Sequence, residues 1–93
     1  MNCTLMGIKK IDYTNRATGE LKSGLELHCE RKPFPTENFL PGSSVCFTQY
    51  LANNANTSDL VAKVLNIPLM SEISLVFVQN GRYSTFVDVE YTP

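Results

Sequence analysis

Between Leu25 and Glu30 the chain alternates without a break, with Leu25, Leu27 and Cys29 apolar and Glu26, His28 and Glu30 polar. Successive side chains of a strand point to opposite faces, so this period of two predicts a strand with one buried and one wet face, entered after the punctuation of Ser23-Gly24. The pattern upstream is less regular. From Asn2 to Tyr13, Leu5 and Ile11 share a parity with Tyr13, whereas Met6 and Ile8 fall on the other. One straight strand cannot bury both sets in one core. An extra residue in a bulge near Gly7 to Lys10 switches which side chains point inward, which predicts a long bent first strand serving both halves of a sheet. Asn15 to Gly19 then reads as the turn of a hairpin, with Gly19 available for a positive φ and Asn15 able to bond its own backbone.

Beyond the hairpin, Arg31 to Gly42 holds three prolines and a glycine. That composition excludes a central strand and predicts an irregular loop carrying Phe34 and Phe39, which either staple the loop to the core or form an aromatic rim. Ser43 to Leu51 is a third strand candidate, with Val45, Phe47 and Gln49 alternating against Cys46, Thr48 and Tyr50; the two faces are comparably apolar. Thr57-Ser58-Asp59 offers side-chain oxygens for a helix start. Leu60, Val61, Val64 and Leu65 then follow helical spacing until Asn66 and Pro68, which predicts a helix of two to three turns that needs packing to be stable. Ile73 to Val78 and Tyr83 to Val89 flank Gln79-Asn80-Gly81-Arg82, a tight hairpin signal.

The resulting order is long bent strand, strand, loop, strand, short helix, strand, strand. Five strands with one helix between the third and fourth is the element order of the OB-fold, so the fold expected is all-β with one short helix, a five-stranded OB-like Greek-key barrel. With 93 residues the chain has room for a single core, and residues 1–93 are expected to form one domain.

Composition narrows the picture modestly. The apolar fraction of 43% is that of a foldable globular chain, and no apolar run approaches the roughly 20 residues that cross a bilayer. Together with three cysteines that show no metal-ligand or paired spacing, this predicts a soluble, cytoplasmic protein with reduced thiols, no membrane partner and no cofactor or metal. Net charge is −1, but residues 1–32 carry six cations against four acids, while the remaining residues carry two against five. The positive charge therefore gathers on the first hairpin and its exit, a polarity compatible with a local anion-binding surface. His28 and Cys29 are adjacent and point to opposite faces of a strand, and no nucleophile–base pair, phosphate loop or carboxylate cluster is present, so no enzymatic activity is expected. The default for His28 is a solvated or salt-linked side chain beside Glu26 and Glu30.

The run Gly7-Ile8-Lys9-Lys10-Ile11-Asp12-Tyr13, followed by Thr18-Gly19 and Gly24-Leu25-Glu26-Leu27-His28-Cys29, resembles the start of small single-stranded-DNA-binding proteins of filamentous-phage-like and conjugative elements of Gram-positive bacteria. The similarity covers about the first third of the chain, and residues 33 to 70 depart from it. It implies an OB-like, often dimeric protein of a phage or mobile element that coats exposed single strands. Cations would then track phosphates while aromatic faces stack on bases. The candidate nucleic-acid-binding residues are Lys9, Lys10, Arg16, Lys22, Arg31 and Lys32 for phosphates, and Tyr13, Phe34 and Tyr50 for stacking. Expected partners are single-stranded DNA or RNA and a second copy in a homodimer. The alternative is a protein-binding module or inhibitor acting on a host protein through the Pro33 to Pro41 loop or an exposed strand edge.

Overall fold

The structure, a computed structural model, describes residues 1–93. It forms five antiparallel strands in one sheet: β1 (Asn2–Thr14), β2 (Leu21–Arg31), β3 (Val45–Ala52), β4 (Glu72–Asn80) and β5 (Tyr83–Tyr91), ordered β3-β2-β1-β4-β5. A single α-helix, α1 (Ser58–Leu65), lies between β3 and β4, and a short 3-10 turn occupies Pro35–Glu37. This is the element order predicted for an OB-like barrel, but the barrel is not closed. The two edge strands β3 and β5 share no ladder. The cause lies in β1, which pairs with β2 from Thr4 to Thr14 yet holds β4 only from Asn2 to Thr4. Past Leu75, β4 pairs only with β5, so that hairpin leaves the sheet, and the molecule extends to 47 Å in its longest direction.

The bulge in β1 falls between Leu5 and Gly7, just upstream of most of the predicted span. Met6 is the extra residue, and the shift brings Leu5 and Ile8 to the same inward face, opposite Cys29 and Leu27 respectively. It does not bring Lys9 and Lys10 together. They oppose Glu26 and Leu25 in an unbroken ladder, so they point to opposite faces of the sheet. The strand β2 also differs at its start. It begins at Leu21 and runs through Ser23-Gly24, which therefore lies inside the strand rather than before it.

The core is small and sits at one end of the sheet. Leu5, Leu25, Leu27, Cys29, Leu51, Ile73, Leu75 and Val89 come from the strands, and Val61, Val64 and Ile67 from α1 and its exit. The helix has only two turns and is held by those apolar contacts and by Lys63, whose Nζ lies 3.0 Å from Asp88 Oδ1 on β5. Thr57, expected as a cap, makes no capping bond; its hydroxyl instead donates to the Ala52 carbonyl and accepts from the Asn54 N–H. The first turn behaves as its residues dictate, with Gly19 at φ +73° and the Asn15 side chain accepting the Ala17 N–H at 2.9 Å. In the second, the two linking residues are Gly81 and Arg82, one step later than the Asn-Gly pair, and only Gly81 has positive φ. That is the pattern of a turn with glycine first. No helix is long and apolar enough to cross a membrane.

Candidate functional site

Strand parity divides the nine candidate residues into two groups. Residues opposite one another in an antiparallel ladder share a face, and Leu25, Leu27 and Cys29 mark the inward face of β2. The outer face of β1, β2 and β3 therefore carries Lys9, Tyr13, Lys22 and Tyr50, together with Ile11, Gly24, Glu26 and His28. The rows across the three strands read Lys9–Glu26–Tyr50 and Ile11–Gly24–Ala52, with Tyr13 opposite Lys22 in the outermost row. Arg16 is exposed in the turn beyond them, and Lys10 is exposed on the reverse face.

At the centre of this face is a glycine. A Cβ added at Gly24 would come within 2.6 Å of Tyr50 Cε2 and Oη and 2.7 Å of Cζ, so the Tyr50 ring lies directly on the β2 backbone. Glycine inside a strand marks such a close approach, because any other side chain would occupy the space. One side of the ring is thus covered by β2, while the residue remains 41% exposed. Tyr13, 48% exposed, brings its phenol beside that of Tyr50. Burial against the strand, and then the neighbouring Tyr13 phenol, push the Tyr50 hydroxyl above its ordinary pKa, while Lys22 pulls it the other way. Lys22 Nζ is also 2.9 Å from Glu20 Oε2; this hydrogen-bonded pairing raises Lys22 and lowers Glu20. Both side chains are well exposed, so the pair exchanges readily for another anion.

Below this aromatic row the face turns acidic. His28 Nε2 lies 2.6 Å from Glu26 Oε1, the salt-linked arrangement expected for that histidine. Glu30, Thr4 and Glu72 form a further row across β2, β1 and β4. A groove of about 950 Å³ beside that row is lined by Glu30, Glu72 and Glu90 and also by the cations Arg31 and Lys32. No group of three or more His, Cys, Asp and Glu side chains is placed to hold a metal ion.

The second group of candidates sits at the far end of β2. Arg31 lies nine residues along β2 from Lys22, on the order of 30 Å of strand, so Arg31, Lys32 and Phe34 do not join the Tyr13–Tyr50 surface. Arg31 is engaged by its own loop. Its guanidinium makes a two-pronged pair with Glu37, Nη1–Oε1 at 2.7 Å and Nη2–Oε2 at 3.1 Å, and lies 4.2 Å above the Phe34 ring. Glu37 Oε1 also accepts the Phe34 N–H at 2.7 Å. The Arg31 pair and this backbone N–H draw the Glu37 carboxyl down to about 2. Phe34 and Arg31 thus fold the loop, although Phe34 keeps half of its surface exposed. The loop itself lines a shallow groove of about 520 Å³ with Phe34, Phe39 and Leu40.

The cysteines divide likewise. Cys3 and Cys29 are buried side by side, whereas Cys46 is exposed on the outer face of β3. Sequence reasoning named both tyrosines as candidates but missed Gly24 as the seat of Tyr50. The available signal was an isolated glycine flanked by strand-compatible residues. Compared with protein-family models, with curated proteins and with solved structures, the chain matches none of them.

Proposed function

We propose that this chain is a non-catalytic binder of single-stranded nucleic acid, DNA foremost, acting through the outer face of β1, β2 and β3. The observation that carries the reading is the Tyr50 ring laid on Gly24 with Tyr13 beside it and the exposed ammonium groups of Lys9 and Lys22 on the same face. A ring fixed from below by backbone offers its free side to a base, and sequence-tolerant stacking of this kind contributes about 1 to 3 kcal/mol per base. Lys9, Lys22 and, from the turn, Arg16 then meet phosphates; Lys10 reaches them only if the strand wraps round the hairpin edge. Arg31 and Phe34 have a structural role in this scheme, holding the loop after β2, and Lys32 lies with them. The resemblance of the first hairpin supports the same reading and adds a setting, a cytoplasmic phage or mobile-element protein that covers exposed strands.

The test is fluorescence anisotropy with a labelled oligo-dT at low salt. Contact with about three phosphates gives a slope near −2 of log affinity against log salt, at about −0.7 per phosphate on single strands. Replacing Lys9 and Lys22 together by Ala reduces that slope by more than half. No anisotropy change at low salt refutes the proposal.

A second reading rests on a different observation, the exposed apolar residues of the Lys32–Ser44 loop, where Leu40 is 79% and Phe39 51% exposed. Those residues fit a protein-docking module better than a phosphate-tracking surface. Nuclease-insensitive capture of one stoichiometric protein, lost on Phe39→Ser/Leu40→Ser, together with silent anisotropy, selects this reading over the first.

A further inference from the structure

The open barrel leaves two edge strands, and they are guarded very differently. The β5 edge carries Asp88 and Glu90, has a register shift opposite Val76 and Phe77, and is tied to α1 through Lys63. Charges, bulges and covering helices are the usual devices that prevent an edge from pairing with another chain. The β3 edge has none of them. Val45 to Ala52 contains no charged residue, no proline and no glycine, and its ladder with β2 runs without a register shift.

The hydrogen bonds show which backbone groups are free. The Asn53 N–H donates to the Ser23 carbonyl, which fixes the odd-numbered residues of β3 as those bonded to β2. The N–H and C=O groups of Cys46, Thr48, Tyr50 and Ala52 therefore point away from the sheet. Two of these carbonyls are occupied: Ala52 accepts the Thr57 hydroxyl, and Tyr50 accepts the Gln49 side chain at 3.0 Å. The first bond anchors the segment leading to α1, whereas the second is made by an adjacent side chain that can rotate aside. The pairing-competent edge is thus Cys46, Thr48 and Tyr50, with Thr48 at its midpoint.

We infer that β3 pairs antiparallel with β3 of a second copy of this chain, about a two-fold axis at Thr48. Thr48 then opposes its own copy and Cys46 opposes the partner copy's Tyr50, so all three edge residues on each side are hydrogen-bonded. A second copy is favoured over an unrelated strand because the edge is self-complementary: an isologous antiparallel pair needs matched free groups about its centre and no like charges across it. A β5–β5 pair would instead bring Asp88 and Glu90 towards their own copies. The β3 pairing continues the sheet into a ten-stranded surface and sets the two Tyr50 rings about 14 Å apart on one face. It does not rest on nucleic-acid binding and is tested without any ligand.

Sedimentation of the full chain is expected to give a dimer, twice the 10.4 kDa of one chain. Thr48→Pro removes an N–H that points away from β2, so the fold and its circular dichroism are retained while the dimer dissociates. Thr48→Lys sets like charges across the axis and weakens the dimer at least tenfold, with partial rescue by salt. In a Cys46→Ser background, Thr48→Cys is expected to form a covalent dimer on mild oxidation, because directly bonded positions lie about 5.5 Å apart between Cα atoms. A wild-type chain that sediments as a monomer at high micromolar concentration, a dimer unaffected by both Thr48 variants, or no Thr48→Cys cross-link overturns the inference.

Discussion

Replacing Gly24 by Ala tests the aromatic seat directly. The new methyl carbon would lie 2.6 Å from the Tyr50 ring, whereas carbon atoms in ordinary contact are about 3.5 to 4.0 Å apart. The ring must therefore move by about 1 Å or more. Because the atoms met are the far end of a side chain, β3 need not shift, and an off-rotamer tyrosine costs about 0.5 to 1.5 kcal/mol. Against this, alanine in a strand gains about 0.5 to 1 kcal/mol over glycine by restricting the unfolded chain. The two terms nearly cancel, so the melting temperature is expected to stay within a few degrees. Oligonucleotide binding is not expected to be spared. Loss of one stacking surface at about 1 to 3 kcal/mol raises Kd roughly 5- to 150-fold.

A double-mutant cycle isolates the geometry from the ligand. In a Tyr50→Ala background the clash is absent, so Gly24→Ala there shows its full gain of about 0.5 to 1 kcal/mol in urea unfolding. In the wild-type background the same substitution shows little or none. Binding should follow the same logic, with Gly24→Ala adding no further loss once Tyr50 is gone. Equal stabilisation by Gly24→Ala in both backgrounds would refute the seating of the ring on β2. Unchanged binding in Gly24→Ala, with the ring demonstrably displaced, would instead remove Tyr50 from the proposed interface.

Two other outcomes follow from groups outside that face. Glu37 has its carboxyl lowered from an ordinary 4.5 to about 2 by Arg31 and the Phe34 N–H, so the folded state binds fewer protons than the unfolded one in that window. Its stabilising contribution is complete above pH 4.5 and is lost as pH falls towards 2; the melting-temperature gap between wild type and Glu37→Gln should be widest near neutrality and close by pH 2, and a gap independent of pH contradicts the ion pair. Burial, with Cys3 beside it, pushes the Cys29 thiol up to about 12, and burial also raises Cys3. At pH 8 a disulfide reagent should therefore titrate one thiol rapidly in the native protein and three in denaturant, with Cys46→Ser removing the fast phase; rapid reaction of two or more native thiols contradicts the buried pair.

The fold was legible wherever one face of an element was clearly wetter than the other. The alternation of Leu25, Leu27 and Cys29 against polar residues specified β2 from Leu25 onward, though not its start at Leu21, and the parity conflict between Leu5 and Ile8 in β1 could only be resolved by an extra residue. What the pattern could not locate was which residue that would be, because an extra residue at Met6 or at Gly7 satisfies the count equally well. The choice is made by pairing. Leu5 exchanges backbone bonds with Met70 and Ser71, which pins its position and leaves Met6 as the residue squeezed out. In β3 both faces look apolar in sequence, and only the helix side, where Leu51 is buried, decides that Cys46, Thr48 and Tyr50 face outward. Closure of the barrel was equally unreadable, since it depends on how long β1 can hold β4, a three-residue ladder set by the bulge rather than by any strand's own pattern.

The site shows why charge and aromatic content mark a region before they mark a surface. Lys9 and Lys10 look alike in sequence, yet one lies on the face of Tyr13 and Tyr50 and the other on its reverse. Arg31 has the residue type most favoured for phosphate, but Glu37 six residues later matches its fork in both prongs and Phe34 underlies it, so its charge is spent within the loop. The residues that remain available are those without a geometrically matched partner. By that criterion Lys9 outranks Arg31, with Lys22 between them because its one partner, Glu20, holds it through a single exposed contact; Tyr50 outranks Phe34, because the surface beneath Tyr50 is backbone, which fixes the ring and leaves its other side unclaimed. A glycine, the residue with no chemistry of its own, thus does more to define the proposed interface than any of the cations around it.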